Sequence, residues 1–152
     1  MKKVLIGLLL ILTLFLMVGC ANKNLSRREV TKILEENGFV KEDVKYTMEE
    51  TADYDKFKNI YKFSNSIYEF DYFELEDKDY AIKLYEQNME ILEKYKGDSL
   101  SNEKNSDNYS RYTLEKDNNY HVLVRKGKTF LFGVVTIENK ADFNDVLSLI
   151  NY

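Results

Sequence analysis

The chain has 152 residues, with 22 Lys and Arg against 26 Asp and Glu for a net charge of −4, and it contains 1 His, 1 Cys, 12 Tyr, 9 Phe, no Pro and no Trp. An acidic chain without a basic stripe is excluded from phosphate-driven nucleic-acid binding. A lone cysteine excludes disulfides within the chain, so packing must hold the fold, and the many tyrosines belong at the core boundary, where a ring is buried and its hydroxyl finds a partner.

The chain begins Met1-Lys2-Lys3, runs almost unbroken and apolar from Val4 to Val18, and then reads Gly19-Cys20. A basic start, an apolar core and a small residue before the cut make a secretory signal. The apolar run is short of the roughly 20 residues a retained spanning helix needs. Met17-Val18-Gly19-Cys20 resembles the lipobox of bacterial lipoproteins, Leu-(Ala/Ser/Val/Thr)-(Gly/Ala)-Cys, with Met17 where Leu is preferred. The resemblance covers the leader alone. It implies that residues 1–19 are a cleaved signal peptide and that the Cys20 thiol takes a diacylglycerol, with palmitate among the acyl chains. Residues 20–25 are then a lipidated N-terminus and short linker that hold the protein on the extracytoplasmic side of the cell membrane. Loss of Lys2 and Lys3 with the leader leaves a net charge of about −6.

Residues 26–152 are expected to form one domain. Ser26 and Glu29 have capping-box spacing, Leu25 and Val30 can staple the entry, and Val30, Ile33 and Leu34 line one face of a helix that Asn37-Gly38 stops. Alternation of Val44, Tyr46 and Met48 predicts a strand over 43–49, and residues 52–64 suit either a short helix or an extra strand, since Phe57, Ile60 and Tyr61 have helical spacing. A firmer strand is predicted over 67–75. Asp77 then opens a long helix with Ala81, Leu84, Tyr85, Asn88, Ile91, Leu92 and Tyr95 on one stripe, ended by Gly97. The polar stretch 98–108 is predicted as an exposed loop.

Three strands follow as a meander, 109–116, 120–125 and 129–138, with turns at Asn118-Asn119 and Lys126-Gly127. The last is apolar on both faces and so predicted to be central. Asn139 caps a final helix with Phe143, Val146, Leu147 and Ile150 inward. The sum is an α+β fold, a mostly antiparallel sheet of four to five strands with a C-terminal three-stranded meander and helices mainly on one face.

Few residues offer chemistry. Gly97-Asp98-Ser99-Leu100 is similar to the GDSL signature of a family of esterases and lipases, but the likeness stops at four letters. That family's serine follows the first strand of a parallel sheet and its histidine sits in a late Asp-x-x-His motif, whereas Ser99 follows a long helix and Asp117 precedes His121 by one residue too many. His121 has no second histidine or thiol to complete a metal set. The acids Glu69, Asp71, Glu74, Glu76, Asp77 and Asp79 are dense but lack a calcium-loop pattern, and several oppose a helix dipole. Tyr46, Tyr109, Tyr112 and Tyr120 could line an aromatic groove for a peptide or glycan or sit at the core boundary. No phosphate-binding glycine loop, zinc motif or other cofactor signature is present.

The expected function is a lipid-anchored envelope protein acting as a non-catalytic binding module. Its partners are the membrane, through Cys20, and an envelope protein or peptide. The alternatives are a surface hydrolase using Ser99 or His121 and a shielding or immunity-type lipoprotein. With helices on one face, the other would bind through Glu69, Asp71, Phe73, His121, Leu123 and Arg125, joined by Arg111 and Thr113.

Overall fold

The computed structural model describes residues 25–152, so the leader, Cys20 and most of the linker lie outside the described residues. The elements run α1 (Arg27–Glu36), β1 (Val40–Asp43), β2 (Phe57–Ser64), β3 (Glu69–Leu75), α2 (Lys78–Lys96), β4 (Ser101–Ser106), β5 (Tyr109–Lys116), β6 (Asn119–Lys126), β7 (Thr129–Thr136) and α3 (Lys140–Leu149). The strands form one seven-stranded sheet, ordered β1-β2-β3-β7-β6-β5-β4, and every neighbouring pair is antiparallel. The α+β class holds, with seven strands in place of the expected four to five. Among the described residues no helix is long and apolar enough to cross a membrane.

Two meanders, β1-β2-β3 and β4-β5-β6-β7, meet where β7 pairs with β3. That junction dictates the course of α2. The chain leaves β3 in the middle of the sheet and must restart at β4 on the far edge, four strand spacings or roughly 19 Å away. A helix of 19 residues, about 28 Å long, makes that crossing over one face of the sheet. The expectation that helices sit mainly on one face is therefore corrected: α1 and α3 pack on one face and α2 on the other.

Strand alternation supplies an apolar surface to each. On the α1/α3 side, Val30, Leu34, Phe143, Leu147 and Ile150 close over Phe63, Phe70, Tyr72, Val122 and Leu131. On the α2 side, Ala81, Tyr85 and Leu92 close over Ile60, Leu75, Tyr112, Leu123 and Phe130. Gly133 on β7 makes room for α3, because a Cβ there would lie 2.5 Å from the Phe143 ring. β7 is the central strand, as its apolar faces predict, although its Val134 is 36% exposed at a corner α2 does not reach.

Local chemistry sets the ends. Glu29 N–H donates to Ser26 Oγ at 3.4 Å while Ser26 N–H donates to Glu29 Oε2 at 2.7 Å, completing the capping box. Asp77 caps α2 by accepting from Tyr80 N–H at 2.6 Å. The buried α2 stripe is narrower than predicted, since Ile91 and Tyr95 are exposed while Leu92 beside them is buried.

Several expectations shift. The strand predicted over 43–49 is β1 over Val40–Asp43 followed by a 3₁₀ turn over Lys45–Met48. Here Asp43 Oδ1 accepts Lys45 N–H and Thr47 Oγ1 donates to the Val44 carbonyl, so side chains take up backbone groups that a ladder would have used. Of the two readings of 52–64 the strand prevails. A bulge between Phe57 and Asn59 inserts a residue, which puts Phe57 and Ile60 on the α2 face and mimics helical spacing.

The predicted loop 98–108 contains β4, which is polar because only β5 covers its edge and little of it is buried. Both meander turns lie one residue from their predicted centres. Asp117 and Asn118 carry the positive φ angles of the first (51° and 64°), and Gly127 opens the second at 57°.

Candidate functional site

The expected binding residues fall on one face. The registers Phe73↔Phe130↔Arg125 and Asp71↔Phe132↔Leu123 put all four outer members on the α2 side, with Glu69 and His121 beside them. That face is not free. Leu123 is fully buried under α2, and the Phe73 ring packs against Phe57 and Phe130, at 6.0 Å and 5.5 Å between centroids. Arg111 and Thr113 belong to the opposite face, because Tyr112 pairs with Leu123 and shares its side. Arg111 Nη2 donates instead to Asn144 Oδ1 on α3 at 2.5 Å.

A corner beyond α2 remains open. Glu69, Phe70, Asp71, Phe132 and Val134 line a hollow of about 130 Å³ there. Lys62 Nζ donates to Glu69 Oε1 at 3.2 Å, and burial pushes the Asp71 carboxyl above its usual value, with Lys62 opposing.

The other candidates are dispersed. Ser99 lies in the turn after α2, its N–H donating to the Lys96 carbonyl at 3.2 Å. No hydrogen bond joins it to His121 among the described residues. The His121 ring packs edge-on against Tyr95, 5.8 Å between centroids, with both nitrogens buried and unpaired, and burial lowers its pKa. Glu74 turns to the α1 side, within 3.3 Å of Lys58 and 3.8 Å of Arg27, so the acidic run divides between two faces. Tyr112 and Tyr120 are buried on opposite faces while Tyr46 is exposed, so the four tyrosines form no groove.

Arg125 stands apart. It occupies an inward position of β6, and it is 3% exposed. Its Nη2 donates to Ser110 Oγ at 2.9 Å and to the Ser106 carbonyl at 3.2 Å, whereas Nε and Nη1 are buried without an acceptor. Among the described residues no carboxylate forms an ion pair with it. Arginine stays charged in proteins even when burial lowers its pKa, as here. Glu86 across the groove attracts it without touching it, and a buried cation that lacks a close ion pair is costly to hold.

This guanidinium lies at the base of a groove of about 720 Å³ between α2 and the β4–β5 hairpin. Lys78, Ile82, Tyr85, Glu86 and Met89 form one wall, at positions that fall on one side of a helix. Glu103, Asn105 and Asp107 rise from the hairpin opposite, and Ser110 joins Arg125 below. The Tyr85 hydroxyl is also buried and unpaired, and burial together with nearby Glu103 pushes its pKa well up, so it remains a neutral donor. Two side chains with three unpaired buried polar atoms thus line one concave surface with an apolar wall and an acidic rim, the usual makeup of a ligand site.

Sequence reasoning selected Arg125 but missed Tyr85, Ser110 and the hairpin acids. Alternation along β6 made Arg125 legible as sharing a face with His121 and Leu123, but that face was expected to be free, and it is α2 that makes the position inward. Glu103 and Asp107 had no comparable signal, since they meet α2 only through the crossing.

No family model matches the chain, and no curated protein matches it. A solved structure, a GTP binding regulator from Thermotoga maritima, is similar over 84% of this chain and 88% of its own, at 9% identity and a TM-score of 0.44.

Proposed function

We propose that this chain is a lipid-anchored protein of the cell envelope that works by binding, with no chemistry of its own, and that the α2 groove is where it binds. The observation that carries this reading is Arg125, a buried guanidinium beside an open groove with two nitrogens that meet no acceptor. A protein selected for folding alone would gain by an apolar side chain at that position. Even a buried ion pair can often be replaced by well-packed apolar residues at no loss, or with a gain of about 1–4 kcal/mol, and a buried charge without a close partner has less to lose. A binding role gives the buried charge a use that folding does not.

The anchor rests on the lipobox-like Met17-Val18-Gly19-Cys20. The Cys20 thiol would carry the lipid, and the short linker would keep the groove near the outer surface of the membrane, within reach of an envelope protein or peptide. Expression of the full chain and of Cys20→Ser in a bacterial host fed labelled palmitate tests this. Label and membrane fractionation are expected for the first and neither for the second. Label retained by Cys20→Ser overturns the anchor.

A further inference from the structure

We infer that the groove binds a short peptide by its C-terminal carboxylate, with Arg125 as the receptor for that carboxylate and the acids Glu86, Glu103 and Asp107 facing a cationic group of the same ligand. The inference rests on the binding role proposed above and narrows it to a ligand class.

The sign of the ligand follows from charge. The guanidinium needs an anion, and its Nε and Nη1 need acceptors, which a carboxylate supplies with charge-assisted hydrogen bonds. Both atoms are covered by protein, so contact requires the guanidinium to move outward from its bonds to Ser110 and Ser106. The Tyr85 hydroxyl is a second unpaired donor at the same place.

The rest of the ligand follows from the rim. Glu86, Glu103 and Asp107 outnumber the cations Lys78 and Arg125 on this surface, so a polyanion such as a phosphate ester is repelled at the entrance. A ligand with one anionic end and one cationic group meets both signs correctly. Ile82 and Met89 give an apolar wall between them, and methionine adapts its shape to varied side chains. A volume of about 720 Å³ lies in the range of sites that enclose a drug-sized molecule, which suits a short peptide better than one free amino acid. Capture of a terminal carboxylate is a recurrent mode of peptide recognition.

The test is calorimetric titration of the full-length protein in detergent with a mixed library of free-acid tripeptides, the same library as C-terminal amides, and inorganic phosphate. The free acids are expected to bind, and amidation to weaken binding by about 10- to 100-fold, the loss of a charge-assisted hydrogen bond. Arg125→Met should abolish binding of the free acids while leaving the melting temperature unchanged or higher. Glu103→Gln, on the exposed hairpin, should weaken a library with free N-termini and leave an N-acetylated one unaffected.

Equal binding of acids and amides would overturn the carboxylate inference while leaving a binding role standing, and this comparison needs no variant to fold. Phosphate binding that depends on Arg125, with no peptide bound, would also overturn it. If neither peptide nor phosphate bound and Arg125→Met melted at a lower temperature, both the peptide inference and the groove's binding role would fall together.

Discussion

Replacing Gly133 by Ala adds one methyl group at the point where α3 rests on the sheet. The new Cβ would lie 2.5 Å from Phe143 Cζ, 2.9 Å from Cε1 and 3.3 Å from the Phe70 Cβ. Carbon atoms prefer a separation of about 3.5–4.0 Å, so the ring must retreat by about 1 Å or more. It has little room to do so. Phe143 is fully buried and braced by Tyr68 and Phe70, with centroids at 5.2 Å and 5.6 Å. Overpacking of this kind costs about 1–3 kcal/mol. Because Gly133 does not have a positive φ, alanine also restrains the unfolded chain, which returns about 0.4–1 kcal/mol.

The net expectation is a loss of about 1–2 kcal/mol, or a fall in melting temperature of roughly 4–8 °C for a domain of this size. Urea unfolding followed by circular dichroism and by tyrosine fluorescence measures it, the chain having no tryptophan. In a Phe143→Leu background the ring atoms that clash are gone, and Gly133→Ala should become neutral or stabilising. A double-mutant cycle should then show coupling of about 1 kcal/mol or more. The reasoning is refuted if Gly133→Ala stabilises the otherwise unaltered protein, or if it costs the same in both backgrounds.

Burial holds the His121 pKa below 6.5, so the unfolded chain takes up a proton that the fold resists. The stability tied to this neutral imidazole is therefore complete above about pH 6.5 and is lost as pH falls through the lower folded value. The urea midpoint should decline between pH 7 and 5 more steeply in the unaltered protein than in His121→Leu, and parallel declines would rule this out. Asp71 has the reverse sign. Its carboxyl pKa is raised above 3.8 by burial, so the fold binds the proton more tightly and stability declines as pH rises through that window. Asp71→Asn should raise the urea midpoint at pH 7, and a lower midpoint would show that attraction to Lys62 outweighs the burial.

Periodicity and caps make much of the local structure legible without any tertiary contact. Ser26 with Glu29, Asp77 ahead of α2, and the doubly apolar run of β7 each depend on neighbours within a few residues, and each stands in the structure as the sequence indicates. Polar β4 was hidden because an edge strand is defined by backbone pairing with β5 and needs no apolar side chain. The segment around Phe57 misled because a bulge changes the period of a strand without changing its residues.

The site divides along the same line. That Glu69, Asp71, Phe73, His121, Leu123 and Arg125 share a face follows from alternation along each strand, which is local. Whether that face meets solvent depends on the pairing of β3 with β7, residues distant in sequence, which leaves β4 on the far edge and forces α2 across. The crossing buries Leu123 and Phe73, leaves the guanidinium of Arg125 beneath a groove, and brings the β4–β5 hairpin to face the helix. A chain order of helices and strands carries no information about which face a crossover helix will cover. That is decided by which strands pair, and burial of two apolar faces at once is the free-energy term that selects the pairing.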